Sequence, residues 1–86
     1  MATNIVIPDT VLKKLNDLPK EIRIKFWEQL EKLVSNPSFP GLRNEKLKGT
    51  DQWAFSITIN YRATYIRVEA GIIITAVGTH QEVLGD

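Results

Sequence analysis

The hydrophobic period of this chain changes once, and that change limits what it can fold into. Before residue 35 the apolar residues recur at helical spacing. From Gln52 they alternate. Val11, Leu12, Leu15 and Leu18 mark a first helix, with Asp9 as its expected N-cap. Pro19 breaks that helix and suits the first turn of the next. In the second helix Ile22, Phe26, Leu30, Leu33 and Val34 form a core stripe, and Ser35-Asn36-Pro37 stops it. The two make an antiparallel helical hairpin.

After Gln52, Trp53, Phe55, Ile57 and Ile59 alternate with Ala54, Ser56, Thr58 and Asn60. That predicts a strand with one apolar and one mostly polar face. Asn60 turns the chain, Tyr61–Val68 returns as a strand, and Glu69-Ala70-Gly71 makes the next turn. The stretch Ile72–Gly78 is apolar on both faces, as an internal strand requires. With Asn4–Ile7 read as an opening strand, the order is β-α-α-β-β-β. The expected class is α+β: a four-stranded, mainly antiparallel sheet with the hairpin on one face.

At 86 residues the chain is one domain, 1–86. A domain of that size buries only about 60–65% of its unfolded surface, so its core is thin. Ile24 and Trp27 lie off the main stripe of the second helix and are candidates for contact with a partner protein. There is no cysteine, which removes disulfides and thiolate metal sites. The N-terminus shows no signal-peptide pattern, and the longest apolar run, Ile72–Val77, is too short to span a bilayer. A cytoplasmic location without membrane association is expected.

The net charge of +1 is unevenly spread. Arg43, Lys46, Lys48, Arg62 and Arg67 face only Glu45 and Asp51 in the middle of the chain, whereas the residues after Arg67 carry only acidic charges. A basic middle suits a polyanion, or a solvated surface. Lys46 and Lys48 bracket Leu47; an extended backbone there would put both ammonium groups on one side. His80, the only histidine, follows the last apolar strand. With no second histidine and no cysteine to share an ion, metal binding and a metal cofactor are not expected.

Taken in order, "NPSFPGLRNEKLKG", "WAFSITINYRATY" and "VGTHQEVL" resemble the RelE/ParE superfamily of type II toxins over nearly the whole chain. The similarity is closest to the YafQ-like and HigB-like mRNA interferases, whose C-terminal stretch carries Gly-x-His. The resemblance implies a toxin held by a cognate antitoxin. It also implies metal-independent, cofactor-free cleavage of mRNA on the ribosome, by attack of a 2′-hydroxyl on its own 3′-phosphate. That chemistry requires removal of the 2′ proton, cationic donors for the phosphorane, and a proton for the leaving oxygen.

On this resemblance Arg62 contacts the scissile phosphate. His80 serves as acid to the 5′ oxygen or base to the 2′-hydroxyl, and Gly78 lets the backbone approach the substrate. Arg43, Lys46 and Lys48 bind the RNA. Ser56 and Thr58 stand where RelE-like enzymes carry basic residues, and Gln81 and Leu84 replace a frequent aspartate and a terminal aromatic. Two alternatives therefore stay open: an antitoxin-binding member with weakened or lost catalysis, and a ParE-type inhibitor of DNA gyrase.

Overall fold

The computed structural model describes residues 4–85. Its elements are β1 (Asn4–Val6), α1 (Asp9–Asn16), α2 (Lys20–Ser35), a single 3₁₀ turn (Pro40–Leu42), β2 (Glu45–Lys46), β3 (Gln52–Ser56), β4 (Tyr61–Val68), β5 (Gly71–Thr79) and α3 (His80–Leu84). The five strands form one sheet in the order β1-β5-β4-β3-β2. Only the β1–β5 pairing is parallel. β5 is internal, flanked by β1 and β4, which accounts for its apolar character on both faces.

The expected class holds, with local corrections. Asp9 is the first residue inside α1, and Pro8 occupies the N-cap. Pro19 caps α2 rather than entering it. α2 ends at Ser35 because Asn36, placed before Pro37, adopts φ −155° and ψ 85°. The sheet has five strands, not four. β2 escaped the sequence reading because two residues carry no period, and it exists only through Glu45↔Ala54 and Lys46↔Trp53 pairing. β3 stops at Ser56. Ile57 still reaches the core at 1% exposure, but Ile59 lies in the following loop at 81%.

Directly paired residues share a face of the sheet. Phe55, Ala63 and Val77 form one row, with Trp53, Tyr65 and Ile74 beside it, on the face that packs against Val11, Leu15, Phe26, Leu30 and Leu33 of the helices. The Phe55 ring meets those of Phe26 and Tyr65 at centroid distances of 6.1 and 6.0 Å. The opposite face carries Ser56, Arg62 and Gly78 in one row and Ala54, Thr64 and Ala76 in the next. A bulge in β5, at the Thr64/Tyr65 register shift, brings Thr75 to this second face. There it bonds to Thr64 and Gln52, each at 2.7 Å.

One polar side chain ties the helix layer to the sheet's edge. Gln29 of α2 is buried, and its Nε2 donates to the Ser56 carbonyl at 2.9 Å and the Gly41 carbonyl at 3.3 Å. It satisfies backbone groups where the β3 ladder ends and at the 3₁₀ turn. Its sequence signal was a lone polar residue three positions after Phe26, on an otherwise apolar stripe.

Candidate functional site

Arg62 lies on the helix-free face of β4, paired with Ser56 on one side and Gly78 on the other. It is only 7% exposed. Its Nη2 donates to the Arg43 carbonyl at 3.0 Å, and its Nε is buried without a hydrogen-bond partner among the described residues. Burial lowers its pKa from the ordinary guanidinium value; the Glu45 carboxylate opposes that effect and Arg43 adds to it. Ser56, its row neighbour, spends its hydroxyl on the Thr58 carbonyl at 2.8 Å.

Arg43 follows the 3₁₀ turn in the left-handed conformation, φ 50° and ψ 41°. It is the only non-glycine among the described residues with positive φ. Such a residue costs on the order of 1 kcal/mol. Its carbonyl holds Arg62 while its own side chain is exposed. Gln29 fixes the same turn from below through Gly41.

His80 is exposed and opens α3. Its backbone N–H donates to the Asn60 carbonyl at 2.9 Å, which joins the end of β5 to the β3–β4 loop. Arg62 follows Asn60 by two residues and faces Gly78, which precedes His80 by two. The fold thus brings Arg62 and His80 to one corner of the sheet.

The lysines are placed differently. Lys46 pairs with Trp53, so it belongs to the helix-side face, and Glu45 shares the face of Arg62. Extended structure ends at Lys46, and Lys48 sits in the turn closed by the Thr50 N–H to Leu47 carbonyl bond. The two ammonium groups therefore do not line one extended segment. Trp53 stacks with Tyr65 at 6.4 Å, and the Arg67 guanidinium covers its ring at 3.8 Å. Tyr65 is buried, and its hydroxyl donates to Asn44 Oδ1 at 2.6 Å. Burial raises its pKa, and its contacts with Arg67 and Asn44 oppose that shift.

α3 was missed in the sequence, although Thr79-x-x-Glu82 is a capping-box signature. Thr79 Oγ1 accepts from the Glu82 N–H at 3.2 Å, and Glu82 Oε1 accepts from the Thr79 N–H at 2.9 Å. Lys14 of α1 donates to Glu82 Oε2 at 3.1 Å. The Thr79 backbone bond, followed by that from Lys14, lowers the Glu82 pKa. A Cβ on Gly78 would stand 2.9 Å from Glu82 Oε1. The space beside Gly78 is thus occupied by the chain's own carboxylate, at the tip of a half-exposed side chain.

Trp27 and Ile24 are exposed at 48% and 50%. Trp27 lines a groove of about 630 Å³ with Ile5, Ile7, Leu12, Leu30 and Val34; Ile24 lies outside that lining. Among the described residues no group of three or more His, Cys, Asp or Glu could hold a metal ion. No described helix is long and apolar enough to cross a membrane.

No family model matches the chain, and no curated protein does. Solved structures do. The archaeal RelE–RelB complex from Pyrococcus horikoshii OT3 aligns over 92% of this chain and 96% of its own, at TM-score 0.75 and 26% identity. The chain has the fold of the RelE/ParE toxins. The heterotetrameric YoeB–YefM toxin–antitoxin complex from Staphylococcus aureus covers 93% of this chain and 99% of its own, at TM-score 0.72 and 22% identity. A YoeB/ParE toxin from Agrobacterium tumefaciens covers 91% and 99%, at 0.77 and 15%. Each of these alignments covers more than nine-tenths of this chain.

Proposed function

We propose that this chain is the toxin of a toxin–antitoxin pair and arrests translation in the cytoplasm by metal-independent cleavage of mRNA on the ribosome. The observation that carries this reading is the meeting of Arg62 and His80 at one corner of a RelE/ParE sheet. Support for the toxin role comes from the RelE and YoeB neighbours, solved with RelB and YefM.

In this mechanism the mRNA phosphate enters beside Arg62. The guanidinium, permanently charged and carrying an unused Nε donor, stabilises the charge that builds on the phosphorane. His80 moves the proton, as base to the 2′-hydroxyl or as acid to the 5′ oxygen. Arg43, beside Arg62, contacts the flanking phosphate. Lys46 and Lys48 engage RNA or ribosome away from the cleavage point. The antitoxin covers Trp27 and Ile24.

A second reading has its own observation. Arg62 already donates to a backbone carbonyl and lies near Glu45, and Ser56 adds no charge to its row. Those features favour an antitoxin-binding member of the fold without catalysis. Inducing the chain alone in cells separates the readings. The proposed function requires protein synthesis to stop within minutes, with mRNA cut at ribosome-occupied positions. Normal growth supports the second reading, and DNA damage with translation intact points to a gyrase inhibitor.

A further inference from the structure

Glu82 lies outside the pair of residues assigned to the chemistry, yet three hydrogen bonds converge on it. Its Oε1 accepts the Thr79 N–H at 2.9 Å, and its own N–H donates to Thr79 Oγ1 at 3.2 Å. Lys14 reaches Oε2 at 3.1 Å from α1. The carboxylate also occupies the space that a side chain at position 78 would take, since a Cβ there would lie 2.9 Å from Oε1. His80 is one residue past Thr79, at the point where strand becomes helix. Its imidazole is exposed, and no hydrogen bond to that ring holds it among the described residues. Its placement therefore depends on the backbone at residues 79 and 80.

We infer that Glu82 is a positioning residue for His80. Through the capping box it fixes the strand-to-helix turn, and through Lys14 it locks that turn to α1. Gly78 belongs to the same device because its missing side chain makes the room Glu82 fills. A helix of five residues is too short to stand by its own hydrogen bonds, so these contacts decide whether the turn keeps its shape. The role in cleavage rests on the function proposed above; the role in holding the turn does not.

The test uses the full chain with Glu82→Ala, Glu82→Gln and Lys14→Ala. Amide exchange at Thr79 and His80 reads the turn directly, and cleavage of ribosome-bound mRNA reads its consequence. Glu82→Ala should speed exchange of both amides at least tenfold and lower kcat at least tenfold with KM unchanged. Thermal stability should stay near wild type. Glu82→Gln can still accept the Thr79 N–H and should recover most of both losses, whereas Lys14→Ala should cause a smaller loss of the same kind. Wild-type exchange and kcat in Glu82→Ala would overturn the inference. So would a kcat loss matched by a lower melting temperature and not rescued by glutamine. Undiminished cleavage in His80→Gln would instead count against the catalytic assignment, and the exchange measurement would decide the role of Glu82 by itself.

Discussion

Arg62 places a cation where burial disfavours it, with one hydrogen bond to a backbone carbonyl and one orphaned nitrogen. A group kept for stability alone would have better partners. Removing it relieves the cost of burying an unpaired cation, which outweighs the loss of one hydrogen bond to the Arg43 carbonyl, worth about 1 kcal/mol. Arg62→Met should therefore melt at or above the wild-type temperature while losing toxicity by on the order of 10²–10³-fold, the usual cost of one lost transition-state donor. A lower melting temperature, with toxicity tracking the folded fraction, would make the residue structural. Gln29 should behave in the opposite way. Gln29→Leu strands the Ser56 and Gly41 carbonyls and should cost about 1–3 kcal/mol in denaturant titration. In the sequence, the proposal for Arg62 and His80 rests only on the order of short motifs. The burial of Arg62 and its grip on Arg43 were not legible there, because they depend on a left-handed turn that no local pattern announces.

The helical hairpin and the last three strands were legible because each runs long enough for its period to show. β2 and α3 are too short for that and arise from pairing and capping. Two glycines show how the contacts differ between elements. A Cβ on Gly71 would lie 1.8 Å from the Asn4 carbonyl oxygen, a backbone atom in the parallel β1–β5 ladder. Gly71→Ala should detach β1 and cost at least about 2 kcal/mol by denaturant titration. Gly78→Ala meets only the end of a flexible side chain and should cost no more than about 1 kcal/mol, while disturbing the turn at His80. Equal costs for the two would contradict the assigned packing. The pH response of α3 also has a definite sign. A carboxyl whose folded pKa lies below its unfolded value, about 4.3 for glutamate, contributes stability above that pH and loses it as pH falls through the folded value. Glu82 is such a group. Any stability gap between wild type and Glu82→Gln should persist at neutral pH and close as pH falls below about 4. A gap that widened in acid would contradict this assignment.

The whole molecule combines a thin core with apolar surface left open. Ile5, Val6, Leu12, Ile24 and Trp27 are all at least 36% exposed, and the groove beside Trp27 lies between β1 and the hairpin. A bound antitoxin should stabilise the fold by mass action, by about 2.7 kcal/mol at a hundredfold excess over Kd, and so raise the melting temperature. Trp27→Ala should weaken antitoxin binding by about 2 kcal/mol or more in calorimetric titration, as central aromatic contacts do. Ile24→Ala, outside the groove, should cost less. The exposure of these two residues was readable from the overly wide stripe of α2; the groove was not, because Ile5 and Leu12 come from other elements.

The central claim is that Arg62 and His80 cut mRNA on the ribosome. Its most direct test supplies the purified chain to programmed ribosomes carrying an end-labelled mRNA, with wild type and His80→Gln side by side. The expected result is wild-type cleavage only of ribosome-bound message, leaving a 2′,3′-cyclic phosphate, and loss of that product in His80→Gln. Intact message with the wild-type chain, or an identical product from His80→Gln, would contradict the account.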